Sequence, residues 1–166
     1  IAGYKAKRDT GTFSYACHAV VVAVDPKLGS VDILDYVIIE DGGVLVNPMV
    51  VDGQIIGGVA QGIGTALYEE MPFDEHGQPL ASTLADYMLP GAPEVPSIRI
   101  QHIESPSPYT EFGQKGIGEG GAIAPPAAIV NAINDALKDM GVEIAESPIS
   151  PKRVLAAITK AKLVHV

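Results

Sequence analysis

The chain has one cysteine, Cys17, among its 166 residues. An internal disulfide and a cysteine-built zinc or iron–sulfur site are therefore excluded. Cations are scarce as well: 11 Lys and Arg stand against 20 Asp and Glu, for a net charge of −9. That balance argues against a nucleic-acid groove or an anionic membrane surface, both of which need clustered basic residues. No apolar run reaches the roughly 18 residues of a membrane span. No signal-like segment precedes Ile1, so a cytoplasmic location is expected, and the start reads as a cut through a longer chain. Aromatic residues make up only 5% and tryptophan is absent. What is plentiful is apolar residues, 47% of the chain, enough for one ordinary domain with a real core. Residues 1–166 read as a single segment without repeat or internal boundary.

Glycine (18) and proline (13) are also plentiful. The glycines cluster beside apolar periodic segments, which points to tight turns and close backbone approach rather than to a linker. The β-branched run from Ala16 to Val24, the turn Asp25–Ser30 and the run from Val31 to Ile39 read as a hairpin. Its alternation places Val31, Ile33, Val37 and Ile39 on one face and Leu34, Tyr36 and Ile38 on the other. With both faces apolar, the sheet is expected to be covered on both sides. Cys17 and His18 point to opposite faces, which defeats a nucleophile pair between them; Cys17 reads as a small buried hydrophobe.

Asn47-Pro48 reads as a turn, followed by a helix from about Asp52 to Glu70 with Ile56, Val59, Ala60, Ile63 and Leu67 as its apolar stripe. Gly57, Gly58, Gly62 and Gly64 lie inside it, each costing about 0.5–1 kcal/mol against alanine. Four such residues imply a backbone or bound molecule within touching distance. Ile98–His102 alternates as a strand. A helix from Pro125 or Pro126 carries Ile129, Val130, Ile133, Ala136, Leu137 and Met140, with Gly141 as its stop. Ser150-Pro151 opens a last helix that buries Val154, Leu155 and Ile158. The fold class is α+β, a hairpin and mixed sheet packed with helices.

Gly116, Gly118 and Gly121 satisfy G-x-G-x-x-G ahead of a helix, but no strand runs into Gly116, so this is not a dinucleotide fingerprint. The narrower reading is a loop of small residues whose N–H groups face a ligand. Glu119 is the one carboxylate within it. Covered by a substrate pocket it becomes a candidate general base; left open it is a solvated or capping glutamate. Gln54 and Gln61, seven apart, share one side of their helix, and an amide offers both donor and acceptor to a polar ligand; a solvated pair is the plainer alternative. Lys115 suits a ligand phosphate or simply water. His76, His102 and His165 show no ligand spacing, and no residue of the chain reads as a metal ligand.

Three stretches carry a resemblance. Val51-Asp52-Gly53-Gln54-Ile55-Ile56-Gly57-Gly58-Val59-Ala60-Gln61-Gly62-Ile63-Gly64 with Leu67-Tyr68-Glu69-Glu70 is similar to the C-terminal half of the molybdenum-binding large subunit of molybdenum hydroxylases, the xanthine dehydrogenase, aldehyde oxidase and aerobic carbon monoxide dehydrogenase family. Asp86, Tyr87 and Pro90 match the family's Asp-Tyr-x-x-Pro. Gly113-Gln114-Lys115-Gly116-Ile117-Gly118-Glu119-Gly120-Gly121, followed by Ala124-Pro125-Pro126-Ala127, resembles the loop that carries its catalytic glutamate.

The resemblance implies the C-terminal portion of a molybdopterin-binding domain, incomplete without the rest of the large subunit. It implies a molybdopterin cofactor with molybdenum, with the cytosine dinucleotide form favoured by a multi-subunit arrangement. Glu119 would take the proton from a molybdenum-bound hydroxyl, whose oxygen attacks an electron-poor carbon of aldehyde or N-heteroaromatic type. Gln54 and Gln61, Lys115 and the backbone at Gly116, Gly118, Gly120 and Gly121 would help hold the cofactor. Iron–sulfur clusters and FAD are expected on partner chains, an iron–sulfur subunit and an FAD subunit. A small-molecule substrate is implied, with neither nucleic acid nor membrane as partner. Alone, the chain is expected to be inactive, whether a separate subunit or a fragment, and to need a large obligate interface. The alternative is a cofactor-binding or structural module of the same fold without turnover.

Overall fold

The computed structural model describes residues 1–3 and 12–164; most of the polar entry segment and His165 lie outside the described residues. Strands β1 (Tyr15–Val24) and β2 (Val31–Asp41) form the antiparallel hairpin, and β3 (Ile98–His102) adds to β2 in parallel, giving the order β1-β2-β3. The register of the hairpin shifts between Val21, opposite Asp35, and Val22, opposite Ile33. This bulge at Leu34 reverses the alternation. Val31 and Ile33 therefore share the core side with Tyr36 and Ile38, and Val37 and Ile39 lie on the opposite side. A strict period of two cannot foresee such a swap, because one unpaired residue inverts every later side chain.

Helices α1 (Pro48–Ile63), α3 (Pro125–Leu137) and α4 (Pro151–Val164) cover that side. The core joins Tyr36 and Ile38 to Val51, Ile55, Val59 and Ile63 of α1, Ile129 and Ile133 of α3, and Val154 and Ile158 of α4. On the other side, Tyr15, Val21 and Leu34 are exposed, and so is Cys17, contrary to the expectation of a buried thiol. The apolar outer surface that predicted a second covering layer is present, but the layer is not among the described residues.

Helix α1 begins earlier than its apolar pattern indicates. Asn47 caps it, its side chain accepting from the Val50 N–H at 3.3 Å, with Pro48 in the first turn, a standard opening. Ile55, not Ile56, is buried, because Gly58 and Gly62 complete the inward face without adding hydrophobicity. The helix widens into a π-helical turn, Gly64–Tyr68, closed by the Glu69 N–H on the Gly64 carbonyl at 2.8 Å. At the other helix ends the sequence signals hold. Gly141 takes a left-handed φ of 67°, and Ser150 Oγ accepts from the Arg153 N–H. No helix of the described residues is long and apolar enough to cross a membrane.

Candidate functional site

The end of β2 anchors the glycine-rich loop. Asp41 is fully buried and receives the Gly43 N–H at 2.8 Å and the Ser105 N–H at 3.2 Å, while Lys115 Nζ stands 3.3 Å from its other oxygen. Burial alone would raise its pKa. Hydrogen bonds from Ser105, the Gly43 backbone and Tyr15 outweigh it and hold the carboxyl well below the usual carboxylate range. Backbone pairing completes the anchor. The Lys115 N–H donates to Gly42 O at 2.9 Å and the Val44 N–H to Gly113 O at 3.1 Å. Gly113 sits at φ 78°, with Pro106 and Val44 filling the space a Cβ would need, a position that glycine alone occupies without strain.

Beyond this anchor the chain enters the short helix α2 (Gly120–Ile123), with Glu119 as the residue before it. Helix α2 lies directly on α1. A Cβ on Gly58 would stand 2.8 Å from the Gly121 carbonyl carbon, and one on Gly121 would stand 2.5 Å from Ile55 O. Neither would fit, because backbone atoms cannot yield as a flexible side chain can. Gly62 meets Pro125 in the same way, at 2.6 Å. Of the four helix glycines expected to mark a close backbone or bound molecule, Gly58 meets backbone, Gly62 meets the Pro125 ring and Gly64 meets the Glu69 side chain, while Gly57 has no atom of the described residues within reach.

This contact creates a polar pocket of about 210 Å³ lined by Gly53, Gln54, Gly57, Gly58, Gln61, Gly118, Glu119 and Ala122. Gln54, Gln61, Gly118 and Glu119, singled out from spacing, thus meet in one place. Glu119 is exposed and its side chain does not cap α2, so the capping alternative does not describe it. A Cβ at Gly53, Gly57 or Gly118 would meet nothing within 4 Å, which leaves a smooth wall around the two amides and the carboxylate. Gly53 and Gly57, one helical turn apart on this wall, were not read as site residues; their four-residue spacing beside Gln54 and Gln61 is the signal.

The remaining residues fall elsewhere. Lys115 is committed to Asp41, with its Nζ 5.4 Å from the Tyr15 ring centre, and lines a separate hollow with Leu45 and Ile117. Gly116 is exposed with open space around it. Gly120 packs on the Glu40 carboxyl, and Gly121 on the α1 backbone. Among the described residues, no group of three His, Cys, Asp or Glu side chains forms a metal cage.

The arrangement suits a polar, planar group held by amides, and a carboxylate able to take up a proton at its edge. Smooth glycine walls fit a large group such as a pterin better than a small ion.

Comparison with known proteins gives the family. Residues 2–96 match the molybdopterin cofactor-binding domain family model, a span that includes both glutamines. The chain is 43% identical over 145 residues to the nicotine 6-hydroxylase large subunit of Paenarthrobacter nicotinovorans, covering 87% of this chain and 18% of that protein. It is 32% identical over 152 residues to the carbon monoxide dehydrogenase large chain of Hydrogenophaga pseudoflava, covering 92% of this chain and 19% of that one. The crystal structure of quinoline 2-oxidoreductase from Pseudomonas putida 86 superposes with a TM-score of 0.84 at 45% identity, over 86% of this chain and 18% of its own. The chain spans about a fifth of the length of such relatives. With these matches running through both the α1 wall and the hairpin that anchors the loop, the chain belongs to the molybdopterin cofactor-binding domains of the molybdenum hydroxylase large subunits.

Proposed function

We propose that this chain is the C-terminal, base-supplying portion of the large subunit of a molybdenum hydroxylase that hydroxylates an electron-poor carbon. The observation that carries the proposal is the meeting of Gln54, Gln61, Gly118 and Glu119 in one polar pocket. The Gln54 and Gln61 amides, each a donor and an acceptor, would hold the cofactor's polar edge, and Gly53, Gly57 and Gly118 would keep the wall clear for it. When bound, the molybdenum cofactor supplies the two-electron oxidising chemistry. Glu119 would take up at its carboxylate the proton released as water-derived oxygen is transferred to the substrate carbon, with glycines on either side leaving it sterically free to approach. Gly58 and Gly121 fix its distance from the glutamines, and Asp41 with Lys115 fixes the loop that leads to it. The names of the nicotine and quinoline enzymes, at 43% and 45% identity, support an N-heteroaromatic substrate. Partner chains bearing iron–sulfur clusters and FAD carry the electrons away.

The test is the molybdenum and pterin content of the purified complex, read beside turnover of N-heteroaromatic compounds in water labelled with oxygen-18. Stoichiometric molybdenum and label in the product are expected. A complex that lacks molybdenum and pterin overturns the assignment.

A further inference from the structure

Three polar atoms are sealed between the sheet and the glycine-rich loop. Both Glu40 oxygens and the His102 Nδ1 are buried with no hydrogen-bond partner among the described residues. Glu40 and His102 are register partners in the parallel pairing of β2 with β3. They therefore leave their strands on the same side of the sheet, from strands about 4.8 Å apart. Each lacks what the other has: a buried carboxyl needs a hydrogen-bond partner, and an imidazole nitrogen can give or take the proton between them. The other groups on this side do not replace His102. Ala16, opposite Glu40 on β1, has no polar side chain. His18, diagonal to Glu40, meets the Tyr36 hydroxyl through Nδ1 at 2.8 Å, and burial shifts it toward its neutral form. Burial likewise keeps the Tyr36 hydroxyl protonated. Lys5, Lys7 and Arg8 lie outside the described residues and enter as an outcome of the test.

The two ends of this pair reach the two sides of the candidate site. The His102 Nε2 is bonded to Asp52 Oδ1 at 2.8 Å. Asp52 directly precedes Gly53 and Gln54, which line the pocket. At the other end the Glu40 Oε1 packs against Gly120, the residue after Glu119. Asp52, His102 and Glu40 thus run from the glutamine wall to the underside of the loop that bears the proposed base.

We infer that Glu40 and His102 share one proton beneath Gly120, and that the Asp52–His102–Glu40 chain thereby positions Glu119 against the glutamine wall. The inference rests on the proposed role of Glu119 as base. The three are positioning residues, since none of them lines the pocket. With the proton in place, Nε2–H donates to Asp52 and the shared proton bridges Nδ1 and Glu40. Without it, a sealed carboxylate faces a bare nitrogen lone pair, and a half-satisfied buried network is costly. Burial raises the Glu40 pKa, with the His102 charge opposing it, so folding favours the protonated pair. The stability it contributes is full below the ordinary carboxylate range and is lost as pH rises through the raised value.

The test uses the complete assembled enzyme, with molybdenum content measured on each preparation. E40Q keeps the shape and offers Nδ1 an N–H that does not titrate; E40L fills the space with no polar atom. A misplacement of about 1 Å can cost about 10²-fold, so E40L is expected to lose about 10- to 100-fold in kcat at native molybdenum content. E40Q should recover most of that loss. Between about pH 6 and about pH 9 its unfolding midpoint and turnover should also fall less than those of the native enzyme. A merely space-filling Glu40 predicts the reverse order, with E40L at least as good as E40Q. Native turnover in E40L, E40Q no better than E40L, or one pH response for native and E40Q overturns the inference. A structure of the native enzyme decides even if a variant fails to assemble. It is expected to show a Glu40 oxygen within hydrogen-bond distance of the His102 Nδ1. Glu40 bonded instead to Lys5, Lys7, Arg8, His18 or a residue of another chain overturns the inference. Failure of the functional proposal appears differently, as missing molybdenum or as native turnover in E119Q.

Discussion

Gly58 and Gly121 stand back to back, so that a methyl group on Gly58 would lie 2.8 Å from the Gly121 carbonyl carbon. That contact lays α2 on α1 and brings Glu119 to the glutamines. Gly58→Ala has no flexible neighbour to displace and must push two backbones apart. The expected cost is about 1–3 kcal/mol of overpacking, seen as a lower unfolding midpoint of the complete subunit together with reduced molybdenum content. A native midpoint would show that α1 and α2 are not in this contact.

Gly57→Ala makes the complementary case one residue away. A Cβ there meets nothing within 4 Å, and alanine is favoured over glycine in a helix by about 0.5–1 kcal/mol. The fold should be unchanged or slightly stabilised. Gly57 nevertheless lines the pocket, so molybdenum occupancy should fall while the unfolding midpoint of the cofactor-free protein does not. Loss of stability without loss of occupancy contradicts the pocket assignment.

Glu119→Gln preserves shape and removes the proton acceptor. Positioned general bases contribute about 10²–10⁴-fold, so turnover should drop by at least that range while molybdenum and pterin remain bound. Rate and metal content measured on one preparation separate the outcomes. Near-native turnover removes Glu119 from the role of base.

Gln54→Ala deletes one amide from the wall without touching the core, because Gln54 is exposed on α1. The expected result is weaker cofactor retention, measured as the molybdenum remaining after dialysis, at unchanged unfolding of the protein alone. Full retention reassigns Gln54 to solvent.

Much of this was legible in the residues. The hairpin, β3, the stop at Gly141 and the start at Ser150 follow from local turn, strand and capping chemistry. That Gln54, Gln61 and Glu119 share one pocket agrees with their residue type and spacing, which survive without tertiary information. The errors share one origin, which is that contacts across the fold are silent in a linear pattern. The bulge at Leu34 swapped the sheet faces for every residue after it. Gly58 and Gly62 formed a buried helix face that carries no hydrophobic signal, so Ile56 was taken for Ile55. The pairing of Lys115 with Asp41 was equally silent, because the two lie 74 positions apart. Glu40 looked like the tail of a strand, and only its burial in three dimensions sets it apart.

Asp41 offers the last prediction, and its sign follows from its hydrogen bonds. Its pKa in the folded chain is held below the ordinary carboxylate value by bonds from Ser105, Gly43 and Tyr15 that outweigh its burial. The ionised form is therefore favoured by folding, and the resulting stability is present above the unfolded pKa of about 3.9 and is lost as pH falls from there toward the lower folded value. Asp41→Asn keeps the shape, weakens the acceptor and leaves Lys115, only 9% exposed, without its counter-charge. Breaking one side of a buried pair costs about 3–5 kcal/mol, so near neutral pH the variant should unfold well before the native protein. Below about pH 4 the native protein loses its own advantage and the two curves should converge. Unfolding midpoints of the complete subunit between pH 3 and pH 8 measure this, and a gap that stays constant through the acid range would mean that the Asp41 charge does not hold the loop.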